Sequence, residues 1–185
     1  MMRPLAILAA LAGTPALATC PTAADMTGGV VFTLQGGGTE LHKVIRKDWV
    51  QIRATFPDGD ASQLELFHGL YLSASVAIAN GIPQLSEAFT YATETELQQW
   101  QPPRPDGAWD NATAGGGTAK SGPIQPVQLG DCVYNSFDVV LTYTNDEGYV
   151  ETYRYLPALR TGLLVAAKDE SGTQNYTYTD LRVSQ

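Results

Sequence analysis

Apolar and polar residues alternate with a period of two along most of this chain. Residues 30–79 consist of β-branched and aromatic runs that are separated by Gly-rich turns and by a Pro-Asp-Gly-Asp turn. Antiparallel hairpins show this pattern, because successive side chains of a strand point to opposite faces of a sheet. The pattern predicts strands near residues 29–35, 39–46, 49–56, 62–68, 70–79 and 84–92.

The same period returns over residues 132–184, where turn-forming clusters separate the apolar runs. It predicts strands near residues 133–144, 149–156, 162–168 and 174–184. The two halves also share a weak sequence similarity, since Val30-Val31-Phe32-Thr33 is similar to residues 139–142. A duplication would explain this similarity as two related meanders. The alternative is that any two meanders align this loosely.

One short stretch has a helical pattern instead. Thr93 with Glu96 three residues later matches a capping box, and Leu97 with Trp100 forms an apolar stripe. This predicts a helix near 94–100, which must end before the prolines at 102–103.

The middle of the chain has the composition of a loop. Residues 101–130 contain five of the eleven prolines and six glycines, with Trp109 as the one large aromatic residue. Such a composition does not build a packed core by itself. We therefore predict one β domain over 19–185, in which a Pro/Gly-rich loop joins halves 29–92 and 132–184. The predicted fold is all-β and mainly antiparallel, with two β meanders forming a sandwich or a half-open barrel and at most one short helix.

The first 18 residues read as a signal peptide. Arg3 supplies the positive start, residues 5–11 an apolar core, and Ala16-Leu17-Ala18 a small-x-small cleavage site. The apolar run has only about a dozen residues, whereas a membrane-spanning helix needs roughly 20. No later segment is long enough to span a bilayer, so we expect no transmembrane segment after cleavage.

Two cysteines would remain after cleavage, Cys20 and Cys132. An even pair in an exported protein most simply forms one disulfide. The alternative is that Leu17-Ala18-Thr19-Cys20 is a lipobox and that Cys20 carries a lipid, although Thr19 stands where Gly or Ala is usual. The predicted location is the periplasm or the exterior, with lipid anchoring through Cys20 as the alternative.

The chain is acidic, with 19 Asp and Glu against 11 Lys and Arg and a formal net charge of −8, which becomes −9 once the segment containing Arg3 is removed. Nucleic acids and anionic membranes attract basic surfaces, so the composition argues against both partners. Four cations nevertheless cluster at Lys43, Arg46, Lys47 and Arg53. They predict a solvated strand edge, with an anion site as the alternative.

The sequence contains no catalytic signature. His42 and His68 lie within strand patterns, and no Gly-x-Ser-x-Gly turn is present for a nucleophile. Neither histidine has a second ligand at zinc spacing. A calcium-loop pattern begins at Asp58 but has Gln63 where the loop needs Gly and Gly69 where it needs Glu. We predict no catalytic residue, no metal and no cofactor, and a carboxylate-dependent hydrolase is the least favoured function.

Aromatic residues are concentrated near the end of the chain. Tyr149, Tyr153, Tyr155, Tyr176 and Tyr178 accompany an apolar run at 163–165. Together with Trp109 they predict a hydrophobic ligand-binding surface on a curved sheet, and the alternative is that they fill the core.

Several features resemble periplasmic β-rich proteins of bacteria that have no assigned activity. These features are a cysteine just after signal cleavage, Gly107-Ala108-Trp109, a Cys-x-Tyr at 132–134 and the stretch ETYRYLPAL at 151–159. The architecture and compartment also resemble the LolA/LolB-type lipoprotein carriers, whose half-open barrel encloses lipid. The periplasmic β-rich proteins have no activity that the resemblance could imply. The predicted hydrophobic surface and the lack of a catalytic signature instead predict an exported, non-catalytic protein that binds an apolar ligand or a partner protein in the periplasm. The alternative is a structural or assembly factor of the cell envelope.

Overall fold

A computed structural model of the chain describes residues 19–111, 117–143 and 148–185. The predicted signal peptide at 1–18 lies outside the described residues. Fifteen strands make up most of the described chain, and they are β1 (Val30–Leu34), β2 (Thr39–Arg46), β3 (Trp49–Thr55), β4 (Ala61–Phe67), β5 (Tyr71–Ala79), β6 (Ile82–Pro83), β7 (Phe89–Thr90), β8 (Ala108–Asp110), β9 (Gly117–Ser121), β10 (Gln125–Leu129), β11 (Cys132–Tyr143), β12 (Val150–Leu156), β13 (Thr161–Asp169), β14 (Gly172–Asn175) and β15 (Tyr178–Val183).

The strands form two antiparallel sheets. The first has the order β15-β1-β2-β3-β4-β5-β6, with β7 also paired to β5. The second has the order β14-β13-β12-β11-β9-β8, with β10 also paired to β11. The predicted all-β, antiparallel class is therefore confirmed. Neighbouring strands mostly follow one another in the chain, as expected for meanders joined by short turns.

The described part of the chain has one α-helix, α1 (Glu94–Leu97), which is shorter than the predicted 94–100. Its capping box is present, because the Glu96 amide donates to Thr93 Oγ1 at 3.3 Å and the Thr93 amide donates to Glu96 Oε2 at 2.7 Å. No helix among the described residues is long and apolar enough to cross a membrane.

Two predicted strands differ from the structure. In place of the strand expected at 84–92, the chain has a 3₁₀ turn at Leu85–Glu87 and the two-residue β7, just after β6. Pro83 lacks an amide hydrogen for a continued ladder. The strand expected at 174–184 is divided into β14 and β15, because the chain passes there from the second sheet to the first.

The segment 101–130 contains strands β8, β9 and β10 in addition to loops. These strands are possible because β11 has 12 residues and accepts two partners in succession, β10 along its first part and β9 along its second. Pro126 lies in β10, which pairs with β11 alone, so its missing amide hydrogen breaks no second ladder.

The four clustered cations do not lie at a sheet edge. Lys43 belongs to β2 and Arg53 to β3, and both strands have neighbours on each side. All four cationic side chains are exposed, so the prediction of solvation is confirmed and the prediction of an edge is wrong. Arg46 also pairs with Glu94 at 2.9 Å and covers the Trp49 ring at 4.1 Å.

Two clusters of buried apolar side chains join the sheets. The Phe32 cluster comprises Met26, Val30, Phe32, Val50, Ile52, Leu66, Leu129, Cys132, Tyr134, Leu156, Leu159, Leu163, Tyr178 and Leu181. The tryptophan cluster comprises Trp49, Phe67, Leu70, Tyr71, Ala92, Leu97, Trp100, Trp109, Ala119, Phe137, Val139, Leu141, Tyr153 and Tyr155. Strand β11 contributes to both, since its buried positions change phase between Ser136 and Phe137.

The predicted disulfide is confirmed. Cys20 and Cys132 are bonded across a sequence separation of 112, with 5.6 Å between their Cα atoms. Beside the bridge, the Tyr134 hydroxyl donates to the carbonyl of Pro21 at 2.8 Å. The start of the described chain is thereby fixed to β11.

A second junction joins the two sheets at the turn before β5. The Gly162 amide donates to the Gly69 carbonyl at 2.7 Å. A side chain at Gly69 would place its Cβ 2.2 Å from the carbonyl oxygen of Arg160, so the two backbones approach this closely only with glycine there.

Candidate functional site

An apolar groove lies where strands β1 to β4 face β13 and β15. Its volume is about 140 Å³. We call it the groove, and it is lined by Leu34, Gly38, Thr39, Glu40, Ala54, Thr55, Phe56, Ser62, Leu64, Leu164, Tyr176 and Tyr178.

Strand register creates this space. Glu40 pairs with Ala54 across β2 and β3, and Ala54 pairs with Ser62 across β3 and β4. These three residues form one row on the same face, because directly paired residues of antiparallel strands point the same way. Two of the three are small, so the row leaves a depression beside Leu34, Leu64 and the tyrosines.

Of the described residues that line the groove, Glu40 is the charged one. Its Oε2 accepts a hydrogen bond from the Tyr178 hydroxyl at 3.0 Å and lies 2.9 Å from Nε2 of His42. Nδ1 of His42 lies 2.8 Å from Oγ1 of Thr161. Because a carboxylate only accepts, Nε2 of His42 is the donor to Glu40.

The series of side-chain contacts from Glu40 through His42 to Thr161 contains the residue types of a nucleophilic triad. His42 and Thr161 are both 0 % exposed. A substrate therefore has no path to the threonine hydroxyl, and what the arrangement does is hold the Glu40 carboxylate in one orientation at the wall of the groove.

A buried carboxylate, Glu151, lies outside the groove and is held by three tyrosines. Its Oε1 accepts from the Tyr149 hydroxyl at 2.9 Å. Its Oε2 accepts from the hydroxyls of Tyr143 and Tyr153, the latter at 3.2 Å. Burial, followed by the charge of Glu151, raises the pKa of both Tyr143 and Tyr153 well above the ordinary value. The cluster is fully satisfied and serves to pack the second sheet.

A polar hollow adjoins the groove at Tyr176. Its volume is about 300 Å³, and it is lined by Tyr149, Ala167, Asp169, Ser171, Gly172, Thr173, Gln174 and Tyr176. Tyr176 lines both spaces. Burial and then the charges of Glu40 and Glu151 raise the pKa of Tyr176. The hydrogen bond from the Ser171 hydroxyl, followed by that from the Ser171 amide, lowers the pKa of Asp169.

A third space of about 120 Å³ lies where three hairpin turns meet. Lys47, Asp48, His68 and Arg160 are its charged or titratable lining groups, and Tyr155 also lines it. Nδ1 of His68 lies 4.0 Å from Asp48. Desolvation lowers the pKa of His68, and the Asp48 charge opposes this effect.

The structure separates the six aromatic residues that the sequence predicts to bind a ligand. Tyr176 and Tyr178 line the groove, and Tyr149 lines the hollow. Tyr153, Tyr155 and Trp109 belong to the tryptophan cluster. Ligand binding by these residues stays a prediction, and the geometry favours the two that line the groove.

Sequence reasoning missed Glu40 and the small residues Ala54 and Ser62. A signal for Glu40 was present, because its position in β2 is in phase with the inward-facing His42 and Val44. Nothing comparable marks Ala54 or Ser62, whose role depends on strand register. Among the described residues, no group of three His, Cys, Asp or Glu side chains is arranged to hold a metal ion.

Comparison with known proteins identifies no family. No family model matches the chain, and no curated protein matches its sequence. One solved structure that is similar in part is a crystal structure of MucB, with 13% sequence identity and a TM-score of 0.35. The match covers 89% of this chain, which spans 56% of the MucB chain. A likeness at that level carries no information about function.

Proposed function

We propose that this protein is an exported binding protein whose groove takes up the apolar chain of an amphipathic small molecule. The groove itself is the observation that supports the proposal. Leucine and tyrosine side chains from four strands line this space, and the small residues Ala54 and Ser62 leave it open.

The size of the groove limits what it holds. Pockets that enclose whole drug-sized ligands have volumes of roughly 300 to 1,000 Å³. A volume of about 140 Å³ accommodates a chain segment, and the rest of the molecule extends outside. Each buried methylene contributes about 0.8 kcal/mol, so the affinity should rise with each methylene that enters the groove.

Two features support export. Residues 1–18 have the pattern of a signal peptide, and the bond between Cys20 and Cys132 is of a kind that persists in oxidising compartments. Mass spectrometry of the protein secreted by its host tests this directly. Loss of 18 residues without added acyl mass supports a free exported protein, whereas acyl mass on Cys20 would show a lipid anchor.

Binding is tested with the uncharged dye N-phenylnaphthylamine, whose fluorescence rises in apolar surroundings. We expect saturable binding to the wild-type protein and its loss in Ser62→Trp, which fills the groove. Gln63→Trp is the matched control, because the next residue of β4 points to the opposite face. Equal binding by the two variants, or none by the wild type, would contradict the proposal.

A second candidate function is that of an envelope assembly factor, and one observation favours it. Ile82, Leu85, Phe89 and Tyr91 are 65%, 80%, 64% and 59% exposed and lie within one short segment at the edge of the first sheet. Contiguous exposed apolar surface of this kind marks interaction sites. A photoreactive residue at position 85 should then give one defined adduct in cells, while the same residue at position 63 should not.

A further inference from the structure

We infer that the ligand of the groove carries a primary ammonium head and that the Glu40 carboxylate binds this head. This inference rests on the proposed function. Among the described residues that line the groove and the hollow, the charged ones are Glu40 and Asp169, and both are acids. No Lys, Arg or His lines either space in the described part of the chain. A carboxylate or phosphate head would meet only negative charge there.

The two carboxylate oxygens of Glu40 are used differently. Oε2 lies within hydrogen-bond distance of both His42 and Tyr178. Oε1 has no hydrogen-bond partner among the described residues. Every buried side-chain oxygen and nitrogen of the described residues does have a partner, so Oε1 is reached by solvent. Since Glu40 is a lining residue and its side chain is 17% exposed, the open oxygen faces the groove.

The interior contacts fix this carboxylate before any ligand arrives. His42 is itself held by Thr161 at 2.8 Å, and both are fully buried, so the carboxylate has little freedom to turn away. An acceptor that is already oriented loses little entropy on binding. The apolar walls also reduce screening, which strengthens an ion pair between Glu40 and a cation.

The remaining lining residues suit the rest of such a molecule. Leu34, Leu64 and Leu164 offer apolar surface for a hydrocarbon chain. Tyr176 and Tyr178 also line the groove, and aromatic side chains tolerate an ammonium group beside them. The ligand class is therefore a long-chain primary amine, which combines both chemistries in one small molecule.

The test is competition against bound N-phenylnaphthylamine at pH 7 by dodecylammonium, dodecanol and dodecanoate, each below its micellar concentration. The three share one chain and differ in the head. We expect dodecylammonium to displace the dye at a concentration at least about tenfold below that of dodecanoate, with dodecanol between them. Dodecyltrimethylammonium, which has the charge without the N–H donors, should be weaker than dodecylammonium.

Glu40→Gln should remove most of the preference for the ammonium over the carboxylate. Glu65→Gln, which removes the same charge from a β4 position that alternates with the groove-lining Leu64, should keep it. If Glu40→Gln does not fold, the wild-type preference and its reduction by added salt decide the question. If the dye binds the protein but the three competitors displace it equally well, this inference is overturned and the proposed function stands. Failure of the dye to bind would overturn both.

Discussion

The indole N–H of Trp109 donates a hydrogen bond to the hydroxyl of Tyr71, with 2.5 Å between the nitrogen and the oxygen. This contact joins β8 of the second sheet to β5 of the first. The Tyr71 hydroxyl in turn donates to the carbonyl of Gln101 at 2.5 Å. The Tyr71 hydroxyl thus pairs with the indole N–H of Trp109, inside the tryptophan cluster, and with the Gln101 carbonyl beside it.

Tyr71→Phe should lower the free energy of unfolding by about 2 to 4 kcal/mol, because it leaves a buried donor and a carbonyl acceptor without partners. Urea denaturation followed by tryptophan fluorescence measures the change. Tyr91→Phe is the control, since that side chain is 59% exposed and its hydroxyl reaches only Ser75 at 3.3 Å. A similar loss in both variants would contradict the assigned role.

Replacing both Cys20 and Cys132 with Ser should destabilise the domain by at most about 4 to 5 kcal/mol, since the bond closes a loop across a sequence separation of 112. The expected mechanism is a gain of entropy in the unfolded chain. Urea denaturation of the variant against the oxidised wild type gives the value, and reduced wild-type protein should behave like the variant. An unchanged transition would show that the bond contributes nothing to stability.

Alkaline pH should unfold the protein together with ionisation of its buried tyrosines. Burial raises the pKa of Tyr143, Tyr153 and Tyr178 above the ordinary value in the folded state. A raised folded pKa contributes stability that is fully present below about pH 10 and is lost as the pH rises further. Tyrosinate absorbance and far-ultraviolet circular dichroism, recorded on one titration, should therefore change in a common step above about pH 10. Independent, non-cooperative ionisation of all nine tyrosines would contradict this.

His68 should make the domain less stable under mild acid. Desolvation lowers the pKa of His68 in the folded state, so below about pH 6.5 the unfolded chain takes up a proton that the folded chain does not. Stability is present above that pH and lost as the pH falls through it. Asp48 opposes the effect, and Lys47, Arg160 and Tyr155 line the same space.

His68→Asn should remove this dependence, and Asn tolerates the positive φ of 53° at this position. Unfolding free energies of the two proteins, measured between about pH 7.5 and pH 5.5, test it. The same slope in both would show that another group titrates.

Much of the fold follows from local pattern, and the candidate site does not. Strands β2, β3 and β5 begin and end within a residue of their predicted bounds, because alternation and turn residues act over short distances. Strands β8 to β10 were missed because Gly and Pro are frequent in the surrounding segment 101–130, although the long β11 supplies the pairing. Glu40, Ala54 and Ser62 become neighbours only through the register of three strands, which the order of residues along the chain does not contain.

The pairing of Val30 with Val183 means that β1 pairs on its outer side with β15, near the other end of the described chain. Until residue 183 has been synthesised, β1 presents an open ladder of amides and carbonyls. Contacts of such long range form slowly during folding. Until β15 is in place, this side of the first sheet stays open to pairing with another copy of the chain.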